Sequence, residues 1–237
     1  EIGVRLVGSE MCIRDRIDAL HRAGKKIILV NCSGSPIGLE PETQKCEAIL
    51  QAWYPGQQGG KAVAEVLFGD YNPAGKLPVT FYRNVSQLPD FEDYNMTGRT
   101  YRYMQDVPLF PFGYGLSYTT FGYGKTVFDK NELTAGQSLK LTVPVTNTGK
   151  RNGEEVVQVY LRKQGDAEGP IKTLRAFKRV SIPAGKTVNV EFDLKDKELE
   201  WWDDQSNTVR VCPGNYDIMV GGSSKEEDLQ RTTIAIK

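Results

Sequence analysis

A single histidine, His21, occurs in 237 residues. Any Ser-His-Asp or Cys-His device would have to use it, yet it sits beside Arg22 in a short helical pattern, where a surface or helix-end role is expected. Net charge is lacking as well. Thirty basic and thirty acidic side chains cancel, so no overall field draws in nucleic acid or an anionic membrane, and neither is expected as a partner. No apolar run approaches the ~20 residues that a membrane helix needs. The N-terminus shows no apolar core of a signal peptide, so any secretion signal is expected to be absent or lost. Cysteine is scarce: Cys12, Cys32, Cys46 and Cys212 fall in no CxxC or metal-ligand spacing, so neither a disulfide framework nor a metal site is expected.

What is present is an ordinary globular composition, 39% hydrophobic and 25% charged, enough chain for one or two domains. From Ile17 the pattern alternates helix and strand. Ile17, Leu20, His21 and Ala23 before Gly24 predict a short helix ended by glycine. IILVN is a continuous apolar run of the kind that buried parallel strands show. AILQAWYPG fits strand or helix, and Pro55-Gly56 ends it either way. Ala62, Val63, Val66 and Leu67 share one helical face closed by Gly69, and Leu77, Val79 and Phe81 alternate as a short strand. Residues 86–124, rich in Tyr, Phe, Gly and Pro, are expected to be an ordered connector, because so many aromatics do not suit a floppy linker.

The second half switches to period two. Leu139, Leu141, Val143 and Val145 alternate, then Val157, Val159 and Leu161, then Val188, Val190, Phe192 and Leu194. Tyr216, Ile218 and Val220 follow, and finally Ile234 and Ile236. Short strands between Gly, Pro and Asn turns predict an antiparallel β-sandwich of immunoglobulin or fibronectin type. The fold class is therefore α/β plus all-β: a partial α/β sandwich followed by a β-sandwich.

Several stretches invite a chemical role. GDYNPAGK resembles a phosphate-binding loop, but five residues separate Gly69 from Gly75 and Leu77 stands where Ser or Thr would hold magnesium, so a turn is the better account. Trp201-Trp202 before Asp203-Asp204 could be a sugar-stacking platform, yet neighbours on a strand face opposite ways, which makes one tryptophan core. Glu92-Asp93 and Glu226-Glu227-Asp228 are expected to be solvated loop charges. No carboxylate pair has a context that singles it out for acid/base work.

GKKIILVNCSGSPIGL, AILQAWYPGQQGGKAVAEVLFGDYNPAGKLPVTF, GRTYRY and FPFGYGLSYTTF resemble the C-terminal part of glycoside hydrolase family 3, in its β-glucosidase and β-xylosidase members. EEVVQVYL, LRAFKRVSIPAGKT and PGNYDIMVGGSS resemble the fibronectin type III-like domain that ends many of them. The resemblance implies residues 17–85 as part of the family's C-terminal α/β domain and 125–237 as the fibronectin-like domain, with AILQAWYPG a strand. It implies a retaining, exo-acting glycosidase acting on an oligosaccharide or β-glycoside without metal or cofactor. Its aspartate nucleophile would lie on an N-terminal barrel that this chain does not include. The resemblance also implies export to the periplasm or beyond. Arg99, Tyr101 and Arg102 are candidates for the active-site rim, since arginine and aromatics suit hydroxyl hydrogen bonding and sugar stacking. Alternatively that loop ties the domains together. The competing function is a short, non-catalytic fibronectin-like binding or adhesion protein.

In the β-xylosidase-like members the acid/base glutamate lies in an acidic stretch ending in Asp-Arg, just where this chain begins. Glu10, Asp15 and Arg16 offer a superficial match. However, Leu6–Arg16 reads as the translation of a transposase sequencing adapter, whose ATG-TGT-ATA-AGA-GAC-AG end gives Met-Cys-Ile-Arg-Asp and then Arg or Ser. Residues 1–16 are therefore expected to be foreign, and no catalytic residue is assigned to the chain, Glu10 included.

Overall fold

The computed structural model describes residues 2–237, with side chains from Cys12 onward. Helix α1 (Ile2–Arg22) ends at Gly24, whose N–H donates to the His21 carbonyl at 2.9 Å while the Lys25 N–H reaches Leu20 at 3.0 Å. That two-bond closure needs the left-handed φ of +66° found at Gly24, which glycine adopts without a Cβ clash. The helix is longer than the pattern from Ile17 to Ala23 and runs back through Leu6–Arg16. Strand β1 (Ile28–Asn31) pairs in parallel with β2 (Ala48–Gln51), with α2 (Glu40–Lys45) between them. AILQ thus takes the strand option. Helix α3 (Gly59–Phe68) follows and closes at Gly69, and the connector contains one helical turn, α4 (Thr100–Tyr103).

Two expectations fail in this half. The apolar run of β1 is not deeply buried, and Ile28 is 53% exposed, because only two strands form this sheet and both edges stay open. Leu77, Val79 and Phe81 do not make a strand. Pro78 has no N–H to give a ladder, so the segment joins Phe110–Tyr114 through one bridge, Phe81 with Phe110, and single bonds such as Leu77 N–H to the Tyr114 carbonyl at 2.8 Å.

The second half is the expected sandwich. Its strands are β3 (Phe121–Tyr123), β4 (Val127–Phe128), β5 (Glu132–Leu133), β6 (Leu139–Asn147), β7 (Gly153–Lys163), β8 (Thr173–Ile182) and β9 (Thr187–Leu194). A helical turn, α5 (Asp196–Leu199), leads to β10 (Trp201–Asp203), β11 (Thr208–Arg210), β12 (Gly214–Gly221) and β13 (Gln230–Ile236). One sheet runs β5-β13-β12-β7-β8; in the other, β6 pairs with β9, β3 and β4. The alternating residues of β6, β7, β9, β12 and β13 meet in one core, as period two requires of inward faces. Trp201 is 3% exposed and Trp202 49%, the split that adjacent strand positions impose. Among the described residues no helix is long and apolar enough to cross a membrane.

Tyr216 pins the sandwich by donating its hydroxyl to the Cys212 carbonyl at 2.9 Å, a tyrosine-corner bond of immunoglobulin-type folds. Burial, with Cys212 nearby, pushes the phenol's pKa up, so the hydroxyl keeps its proton and remains a donor. Tyr216→Phe is expected to lower unfolding free energy by about 1 kcal/mol in urea titration, the usual net value of a neutral hydrogen bond. An unchanged midpoint would mean that the bond contributes nothing.

Candidate functional site

The GRTYRY loop leaves Gly98 at φ +72° and enters α4 through Thr100, whose φ of +57° is unusual for a β-branched residue. Neighbours hold it there. The Thr100 N–H donates to the Tyr82 hydroxyl at 2.8 Å and the Tyr101 N–H to Thr80 Oγ1 at 3.0 Å. The three candidate side chains then part ways. Arg99 closes its own loop, donating to the carbonyls of Asn95 (3.0 Å), Asp90 (3.2 Å) and Asp93. Tyr101 stacks on Phe112 at 4.2 Å between centroids, meets Tyr160 edge-on at 5.9 Å, and accepts from the Leu174 N–H at 3.1 Å. It therefore bridges the connector and the sandwich. The guanidinium of Arg102 lies over the Tyr103 ring at 5.6 Å, and its buried Nε has no hydrogen-bond partner among the described residues. Beside the loop is a cavity of about 410 Å³ lined in part by Gln87, Gly98, Tyr103, Gln105 and Asp106.

Arg99→Ala is expected to speed proteolytic cleavage within residues 90–98, because three backbone carbonyls lose their shared donor. Global stability should fall by about 1 kcal/mol, as for a half-buried group whose bonds stay within one surface loop. Mass spectrometry of a limited digest reads the site, and cleavage elsewhere first would contradict the assignment.

A second, larger cavity of about 480 Å³ lies where the two halves meet, lined among others by Lys76, Tyr114, Ser117, Tyr123, Glu155 and Asp228. Glu155 is 4% exposed. It lies 3.1 Å from Lys76 Nζ and accepts from the Tyr123 hydroxyl at 3.0 Å. Burial pushes the Glu155 carboxyl pKa up, with the Lys76 charge and hydrogen bond opposing. Sequence reading missed this group, although a signal was there. Stepping back by two from Val157 along the inward parity of β7 lands on Glu155, so a carboxylate occupies a core-face position. Lys76, in sequence no more than the lysine of a phosphate-loop lookalike, is its partner across the junction.

Residues 11–118 match the glycosyl hydrolase family 3 C-terminal domain, and residues 155–224 match a fibronectin type III-like domain. The chain thus carries a glycosyl hydrolase family 3 C-terminal domain followed by a fibronectin type III-like domain. The chain is 56% identical over 223 residues to a xylan 1,4-β-xylosidase of Xylanibacter ruminicola, covering 94% of the chain and 26% of that protein. It is 38% identical to a periplasmic β-glucosidase of Salmonella typhimurium, over 89% of the chain and 29% of that protein. Among solved structures, a β-glucosidase from Erythrobacter marinus superposes with a TM-score of 0.81 at 41% identity, over 93% of the chain and 29% of its own. The chain thus spans about a quarter to a third of the length of the relatives it matches.

Within the family 3 C-terminal domain, Arg99, Tyr101 and Arg102 share one short loop but not one surface task. Two of them fasten backbone, and Arg102 keeps its buried Nε without a described acceptor. The other stretches fall out as ordinary structure. His21 is exposed on α1, and Asn72 of GDYNPAGK accepts from the Tyr118 N–H at 2.7 Å and donates to the Asn152 carbonyl at 2.9 Å. Of the acidic cluster Glu226–Asp228, Glu226 is more than a solvated charge, since it meets the buried Lys172 at 2.7 Å.

Proposed function

We propose that the chain is the C-terminal part of a longer, retaining, exo-acting family 3 glycosidase that releases terminal β-linked xylosyl or glucosyl units without metal or cofactor. One observation carries this: near-complete coverage of the chain by a 56% identical β-xylosidase of which it spans only 26%. The covalent nucleophile belongs to a barrel domain encoded upstream, and the 237 residues of the chain supply domain support rather than the reacting carboxylates. The open edges of β1 and β2 and the exposed Ile28 and Phe68 suit a half-domain that the upstream segment completes. Arg99 closes the GRTYRY loop on itself, Tyr101 holds it against the sandwich, and Arg102 is the member of the set left for other contacts. Leu6–Arg16 is adapter-derived, so Glu10 has no acid/base role. The enzyme is exported, in keeping with the periplasmic relative.

The test is long-read resequencing of the locus. The expected result is an open reading frame that loses LVGSEMCIRDR and continues upstream through a barrel with an aspartate nucleophile. A start codon and ribosome-binding region just before Ile17 would overturn the proposal and favour a short binding protein.

A further inference from the structure

Among the described residues, four buried side-chain polar atoms have no hydrogen-bond partner: Nε of Arg102, Oγ1 of Thr173, Nε of Arg175 and one oxygen of Glu42. Three of the four gather where α4 meets β8. The Ile171 N–H donates to the Arg102 carbonyl at 2.6 Å and the Leu174 N–H to the Tyr101 hydroxyl at 3.1 Å, so residues 101–102 lie directly against residues 171–175. The β7–β8 register breaks here. Val159 faces Ala176 while Tyr160 faces Leu174, which leaves Arg175 without an opposite number. A bulge of this kind re-aims one side chain out of the ladder, and such bulges concentrate beside functional sites. Arg175 is then fixed in its new direction: Nη2 donates to the Glu200 carbonyl at 2.6 Å and the guanidinium lies over Trp201 at 5.7 Å.

Neither Arg102 nor Arg175 forms an ion pair with a described carboxylate. Burial holds the Arg175 pKa down, the charge of Arg102 adds to that effect and the Glu200 carboxylate opposes it. Buried charges are ordinarily paired, and a guanidinium fork matches the geometry of a carboxylate or phosphate. We propose that Arg102, Arg175 and the Thr173 hydroxyl form an oxyanion site at the junction of the family 3 domain and the fibronectin-like domain. The ligand accepts from both Nε–H groups and from Thr173, cancels the repulsion between the two cations, and locks the domains together. The oxyanion comes either from solution or from a carboxylate side chain of the upstream part of the enzyme.

The experiment follows the arginine Nε–Hε signals of the full 237-residue chain by NMR, with inorganic phosphate added at constant ionic strength against sodium chloride. The Arg102 and Arg175 signals, assigned through Arg102→Lys and Arg175→Lys, should move together and saturate at millimolar phosphate. Arg175→Lys should weaken phosphate binding by about tenfold or more, as loss of a hydrogen bond to a charged group does. If a variant fails to fold, the paired saturation in the unmodified chain still decides the matter. The same spectra of the longer polypeptide separate the sources. Signals already displaced and insensitive to phosphate identify an upstream carboxylate, whereas signals that phosphate moves in both proteins identify a free oxyanion. Only this arm rests on the proposed longer enzyme. Signals that respond to phosphate no more than to chloride, and that match between the two proteins, would overturn the site.

Discussion

Incubated with aryl β-xylosides or β-glucosides, the 237-residue chain is expected to release the aryl group no faster than buffer. The longer polypeptide should hydrolyse at least one of the two at enzymatic rates, a difference of at least about a million-fold, the lower end of ordinary enzymatic accelerations. Retaining hydrolysis requires a nucleophilic carboxylate and a protonated partner about 5–5.5 Å apart across the scissile bond. The carboxylates of the chain with structural prominence are engaged elsewhere: Glu155 with Lys76 and Tyr123, Asp203 with Ser206 and Arg210, Glu226 with Lys172. Asp203 shows what such engagement does. The Ser206 hydroxyl, then Arg210, hold its carboxyl down at about 2, the opposite of what an acid catalyst needs. Nitrophenol release followed by absorbance measures the outcome. Hydrolysis by the chain within tenfold of the longer protein would place the catalytic pair inside these residues and remove the basis of the functional proposal.

How much of this was legible in the sequence differs by element, for physical reasons. Strand β6 buries one face fully, and the inward positions Val190, Phe192 and Leu194 of β9 and Ile234 and Ile236 of β13 are buried, so their period of two stands out. Strand β12 buries both faces from Tyr216 to Gly221 and shows its period only through its apolar residues. Strand β8 does not show it. It lies at a sheet edge, paired only with β7, and residues such as Phe177, Lys178 and Arg179 are exposed together. Its bulge at Arg175 has no sequence signature, because it depends on register with a strand more than ten residues away. Glycine stops were readable at Gly24 and Gly69, since left-handed closure is a local requirement. Leu77–Phe81 misleads because its alternation is visible while Pro78 removes a donor that a ladder needs. In the GRTYRY loop the residue types suggested sugar contact, whereas the partners of Arg99 and Tyr101 lie in segments that only the fold brings near.

Lys76→Met is expected to be the most destabilising single change at the domain junction, by about 3–5 kcal/mol at neutral pH, because it strands a buried carboxylate. Both side chains are well covered, 16% exposed for Lys76 and 6% for Glu155, so solvent offers little replacement. The pH dependence follows from the direction of the Glu155 shift. Its folded pKa lies above the ordinary carboxylate value, chiefly through burial, so its contribution is most favourable in acid and is lost as pH rises through the folded pKa. Lys76 opposes that loss in the unmodified chain. Without it the loss is larger, so the deficit of Lys76→Met should shrink steadily from neutral pH downward as Glu155 takes up a proton. Adding Glu155→Gln should recover most of the stability at neutral pH, since an amide keeps an oxygen for the Tyr123 hydroxyl without a charge to desolvate. Urea titrations of the four proteins across pH 4–7, the range over which carboxylates of ordinary or raised pKa titrate, close this double-mutant cycle. A Lys76→Met deficit that stays constant with pH, and that Glu155→Gln does not relieve, would show that the two groups are uncoupled and that the junction is held by its aromatic contacts alone.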